Sequence, residues 1–211
     1  MKHMKVKLTL QEEILGMSPA NPEIYTDYIG SKHPNAQDVA EEVAAIGIEE
    51  TVERGTTVFP RNADGVPLMW DYQIRGFFKD ACGMLSRVAG KDPETGKKKK
   101  AINESGKLTA YKKVIDGLIF VFPRKIPIIF DGQMGMCQRP IRVQNNQGEM
   151  VALASSESIP AGATMEFVIK MFSDEHVAVV KEWLDYGEFR GLGQWRNSGK
   201  GTFTYEILQE W

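Results

Sequence analysis

The sequence predicts a mixed α+β fold, because two kinds of hydrophobic spacing alternate along its 211 residues. Val6, Leu8 and Leu10 alternate with Lys5, Lys7 and Thr9, and Met165, Phe167, Ile169 and Met171 alternate with Glu166 and Lys170. Period two of this kind belongs to strands with one buried face. Between them Ile74, Phe77, Phe78, Ala81, Leu85 and Val88 recur at steps of three and four, the stripe of a helix packed along one side. A third observation concerns the end of the chain, where the glycine-rich run Gly191 to Gly201 separates a helical pattern at 174–186 from a strand pattern at 202–207.

In chain order, the first strand is followed by a loop from Gly16 to Pro34. It is rich in turn formers and carries Tyr25, Asp27, Tyr28, Lys32 and His33; loops of that length are often functional. The run from Asn35 to Gly47, with Val39, Val43 and Ile46 on one side, reads as an amphipathic helix. Thr56 to Phe59 is a short strand closed by Pro60, and Asn62 to Gly65 is a turn. Asp71 is the expected cap of the long helix, with Arg75, Lys79 and Arg87 off its apolar stripe. Lys91 to Lys107 lacks periodicity and is expected to be a poorly ordered insertion. Tyr111 opens a short helix, Leu118 to Phe122 a strand, and Ile126 to Phe130 an edge strand. Asp131 to Pro140, rich in glycine and methionine, reads as a loop containing Cys137. Ile141–Val143, Val151–Leu153 and Met165–Met171 are strands around the turn at Ile159 to Gly162, and Val177, Val180, Trp183 and Leu184 mark the last helix.

Composition places the chain among ordinary globular proteins, and a single domain spanning 1–211 with a basic insertion at about 89–110 is expected. No run approaches the ~20 apolar residues of a membrane span, and no apolar leader opens the chain, so a cytoplasmic protein without membrane contact is expected. Cys82 and Cys137 lack metal-ligand spacing, and neither a metal nor an organic cofactor is anticipated. The net charge of −2 hides an asymmetry. Residues 87–125 hold eleven Lys or Arg against four Asp or Glu, a local +7, which leaves the remainder at −9. Such a block attracts polyanions, or else is simply a solvated lysine loop.

Gly191, Gly193, Gly199 and Gly201 stand within eleven residues together with Trp195, Arg196 and Lys200. Glycine lets backbone N–H groups approach a ligand, the cations supply charge for phosphate, and the indole supplies a stacking face. The alternative is a flexible connection with incidental glycines. The run is neither a P-loop nor a dinucleotide fingerprint, because no Gly-Lys-Ser/Thr opens a helix and a strand follows.

The pattern Gly191-Leu192-Gly193, a spacer Gln194 to Ser198 containing Arg196, then Gly199-Lys200-Gly201 resembles the glycine-rich signature of the RAMP superfamily of CRISPR RNA-binding proteins. Tyr72 to Ala81 resembles the helix that, in the backbone subunits of type III effector complexes, begins with a Gly-Ser-Ser-like turn and reads Leu-Lys-Gly-x-Leu-Arg, and Ile159 to Phe167 is similar to their Val-Pro-Ala-Gly strand entry. Trp70-Asp71-Tyr72 stands where those subunits carry a Gly-Ser-Ser-like turn. The resemblance implies a ferredoxin-like (RRM-like) βαββαβ core with helices on one face, a glycine loop beside the RNA path, and a thumb-like or web-like basic insertion.

It further implies a non-catalytic module binding single-stranded RNA, or single-stranded DNA, through the glycine loop, Trp195, Arg196, Lys200, Arg75, Lys79, Lys97, Lys98, Lys99, Lys100, Lys112 and Lys113. Copies would associate along the strand into a filament, or join CRISPR effector subunits. Two readings stand beside it. One is a phage-encoded mimic or inhibitor of a CRISPR subunit (an anti-CRISPR), acting by protein contact. The other is a metal-independent endoribonuclease using His33 or Asp27, with Tyr25, Tyr28 and Lys32 near the histidine.

Overall fold

A computed structural model describes residues 1–20, 56–88, 103–145 and 148–211, with backbone alone over 141–145 and 148–153. Its architecture is mixed α+β, with several sheets and four α-helices among the described residues. The candidates Asp27, His33 and Lys97 to Lys100, and the helix expected at 35–47, lie outside the described residues.

The central sheet is built on β1 (Lys2–Leu10), whose burial alternates residue by residue as its sequence demands. On one side it pairs antiparallel with β10 (Thr164–Met171), placing Val6 opposite Phe167 and Leu8 opposite Met165. On the other it pairs antiparallel with β11 (Phe203–Glu210), Leu10 facing Phe203. Outside β10 lies β6 (Ile119–Phe122), antiparallel, so the order is β11-β1-β10-β6.

Met4, Val6, Leu8, Leu10, Phe167 and Ile169 are all buried on one face of this sheet. Two helices pack there. From α1 (Asp71–Leu85) come Ile74, Phe77, Phe78 and Ala81, and from α4 (His176–Asp185) come Val179, Val180, Trp183 and Leu184. Phe77 meets Phe203 edge-on at 5.3 Å and Phe78 lies 5.4 Å from Trp183, which joins helices and sheet into one core. Each such large side chain contributes about 1.5–3 kcal/mol by leaving water. The opposite face is polar at Lys5 and Glu166, which form an ion pair of 3.0 Å, and aromatic at its edge, where the Lys170 ammonium sits 4.5 Å from the Phe122 ring.

A second sheet sits beside the first. In it β9 (Gly148–Ile159) pairs with β8 (Gly135–Asn145) as a long hairpin. It also pairs with β2 (Ile14–Leu15) and, in parallel, with β4 (Thr56–Val58), which in turn pairs with β3 (Ser18–Pro19). A two-stranded ribbon of β5 (Leu68–Trp70) and β7 (Lys125–Pro127) leads directly into α1. Two shorter helices, α2 (Glu104–Lys107) and α3 (Tyr111–Leu118), precede β6.

Four expectations are corrected. The segment read as a loop at 131–140 is strand from Gly135 onward, so Cys137 lies in β8. Pro140 obscured it, yet proline is tolerated there because among the described residues β8 pairs with β9 alone, as an edge strand does. The edge strand expected at 126–130 is β7, shifted toward Lys125. Residues 104–107, expected in the poorly ordered insertion, form α2 with Asn103 as its N-cap: the fully buried Ser105 donates through its N–H (2.7 Å) and hydroxyl (3.0 Å) to Glu182, and its hydroxyl accepts from the Trp183 indole. The N-cap of α1 is Trp70 rather than Asp71; its N–H donates to the Gln73 side-chain carbonyl at 2.9 Å, while Asp71 pairs with Arg75 one turn on. No helix among the described residues is long and apolar enough to cross a membrane.

Candidate nucleic-acid interface

The glycine run is stitched to the connection that follows β1. Gln11 N–H donates to the Thr202 carbonyl and Gly201 N–H to the Glu13 carbonyl, both at 2.8 Å, while Leu192 N–H closes the loop on the Gly201 carbonyl at 2.9 Å. Three of the four glycines are there because backbone meets backbone. A Cβ on Gly191 would lie 2.1 Å from the Gly201 carbonyl carbon, one on Gly193 2.7 Å from the Leu15 carbonyl oxygen, and one on Gly201 2.0 Å from that of Leu192. Around Gly199 a Cβ would meet nothing. The close approach that glycine permits is thus, at three positions, to the protein's own chain, and Gly199 faces open space.

The rest of the loop is turned outward. Trp195 has left-handed backbone angles (φ 56, ψ 32), an arrangement a bulky residue adopts only when its surroundings impose it. Its indole is 42% exposed, with the Arg139 guanidinium carbon 5.2 Å from the ring centroid. Arg139, on β8, is buried and donates to the Gln194 side-chain carbonyl (2.7 Å) and to the Ser156 hydroxyl (3.3 Å). These described partners are uncharged, so a full positive charge lies beneath the exposed ring.

Charge on either side of the indole is partly compensated. Asp80 of α1 accepts from both Arg190 and Arg196, the latter at 3.1 Å, and one carboxylate shared by two guanidiniums leaves a surplus of one positive charge. The hydrogen bond to Asp80 raises the pKa of Arg190, so it holds its proton more tightly still. Lys200 pairs with Glu13 at 2.7 Å, which likewise raises its pKa. On α1, Arg75 pairs with Asp71 at 3.1 Å and Lys79 with Asp116 at 2.5 Å. Lys112 and Lys113 are exposed on α3, a helix that packs on α1 and β6.

Between α1 and the loop lies a cleft of about 180 Å³, lined by Tyr72, Gln73, Gly76 and Phe77 on the helix side and by Gly193 and Arg196 on the loop side. The structure therefore brings Trp195, Arg196 and Lys200 together around a framework the sequence did not reveal: Arg139, Arg190, Asp80 and Glu13. Arg139 was missed because it falls in the stretch read as loop. Asp80 and Glu13 carried no signal, since the cations they meet are far away in sequence. Among the described residues no group of three or more His, Cys, Asp or Glu is placed to hold a metal.

No protein-family model matches the sequence, and no curated protein matches it. Solved structures similar to it at low identity include the following two. A chain of a "Type IV-B CRISPR Complex" is 13% identical with a TM-score of 0.47, the match covering 98% of this chain and 90% of that one. A chain from the "Cryo-EM structure of the Type III-B Cmr-beta bound to cognate target RNA" is 12% identical with a TM-score of 0.47; the match covers all of this chain but 60% of that longer one.

Proposed function

We propose that this chain is a RAMP-type binding module that holds single-stranded nucleic acid, RNA ahead of DNA, across its glycine-loop edge without cleaving it. The observation that carries the reading is Trp195, an exposed indole held in a strained backbone posture over a buried arginine. A stacking platform for bases next to surplus positive charge for phosphates is the usual equipment for binding a single strand. The antiparallel order β11-β1-β10-β6, with α1 between β1 and β6 and α4 between β10 and β11, supports a ferredoxin-like βαββαβ core as its scaffold.

The test is a fluorescence-anisotropy titration with labelled single-stranded RNA over a range of salt. Trp195→Ala is expected to weaken binding by about tenfold, since base–aromatic stacking contributes ~1–3 kcal/mol per base and 1.4 kcal/mol is tenfold. Arg196→Glu with Lys200→Glu is expected to flatten the salt dependence, because each lost phosphate contact releases fewer counterions. Absence of any salt-sensitive binding to RNA or DNA refutes the proposal, and a stable complex with CRISPR effector subunits in its place favours the mimic.

A further inference from the structure

We propose that the cleft between α1 and the glycine loop is a pocket for one unstacked nucleobase of the bound strand. The proposal rests on the single-strand reading above and adds a site to it.

It begins with Gly76. Glycine in a helix interior costs about 1 kcal/mol relative to alanine, and such a residue ordinarily makes room for a packed neighbour. Here a Cβ would meet no described residue within 4 Å. Gly76 is exposed and lines the cleft. What its missing side chain preserves is the open space itself.

The walls suit a flat heterocycle with hydrogen-bond acceptors on its edge. Tyr72 is stacked on Trp70 with planes 9° apart, a stiff aromatic wall, and the buried Phe77 supplies apolar surface. Gln73 is fixed in orientation because its carbonyl oxygen accepts the Trp70 N–H. Its amide nitrogen carries two N–H donors, and among the described residues none accepts them. Arg196 adds further donors, and no carboxylate among the described residues lines the cleft. A pocket rich in donors and poor in acceptors selects a carbonyl-bearing base over a cationic or purely aliphatic group. Its volume of about 180 Å³ lies below the ~300–1,000 Å³ of sites for drug-sized ligands and fits a single base rather than a whole dinucleotide. Bases taken out of a stack are held in this way, between aromatic and apolar side chains with hydrogen bonds to the edge.

The experiment compares Gly76→Leu with the unaltered protein on two probes, a single-stranded oligouridylate and a strand of equal length whose residues are abasic. The leucine projects into the cleft. The expected result is about a tenfold loss of affinity for oligouridylate and no change for the abasic strand, so contributions from Trp195 and from phosphate contacts cancel within each probe. Gly76→Ala, a smaller filler that favours the helix, guards against misfolding and is expected to lose about threefold on oligouridylate alone. Equal effects on both probes, or none on either, overturn the pocket while leaving single-strand binding intact. Failure of the unaltered protein to bind either probe overturns the pocket together with the reading beneath it.

Discussion

Replacing Gly201 by alanine separates the two roles that a glycine-rich loop can play, and the structure assigns the cost. At φ +69 an L-residue is disfavoured by about 1–2 kcal/mol. The new Cβ would stand 2.0 Å from the Leu192 carbonyl oxygen, so the two backbone segments must separate by more than an ångström. That movement strains the Leu192–Gly201 and Gly201–Glu13 hydrogen bonds of 2.9 and 2.8 Å, each contributing about 1 kcal/mol net and costing more if its buried groups are left unpaired. The total is about 3–5 kcal/mol. Gly199→Ala is the control, because it lies in the same loop at φ +82 with nothing within 4 Å and should cost about 1 kcal/mol. In thermal unfolding, at ~2–4 °C per kcal/mol for a chain of this size, Gly201→Ala should fall by about 10 °C and Gly199→Ala by about 3 °C. Equal losses, or a loss at Gly201 no larger than at Gly199, would refute the assignment of Gly201 to chain packing.

Two further outcomes follow from charge. Asp80→Asn removes the carboxylate shared by Arg190 and Arg196; affinity for single-stranded RNA should rise and the salt slope steepen by about 0.7 for each arginine released to a phosphate, while urea unfolding records a loss of about 1 kcal/mol. Weaker binding instead would mean that Asp80 positions the arginines rather than competing with phosphate for them. Burial pushes the Cys82 thiol from 9.0 up to about 11, so the folded protein holds that proton more tightly than the unfolded chain does. Stability should therefore decline as pH rises from 9 through 11, and the difference between the unaltered protein and Cys82→Ala, read from urea midpoints, isolates that decline; a difference independent of pH contradicts it.

What was legible in the sequence is what local periodicity encodes. The alternation of β1 and β10, the stripe of α1 and the turn before β10 all arise from neighbours along the chain; each is found where spacing puts it except at Val88, read as the end of the stripe, which lies past the helix in a turn and is exposed. The strands β2, β3 and β4 are two or three residues long, too short for any period to register, and they exist because β9 supplies partners from far away, Ile14 opposite Ile159 being one. The glycine run was equally conspicuous as composition, but composition does not distinguish a glycine that admits a ligand from one that admits its own backbone. The same limit governs charge. Lys79 and Arg196 were visible as cations, whereas Asp116 and Asp80, which pair with them, are brought near only by the fold.

Arg139 belongs to the hairpin, yet the ring it supports belongs to the glycine loop. A displacement of that ribbon, by a docking partner or by a neighbouring copy, would withdraw the cation from under the indole and alter both its tilt and its emission. The hairpin and the glycine loop are thereby joined through Arg139, and the emission of Trp195 would report movement of one against the other.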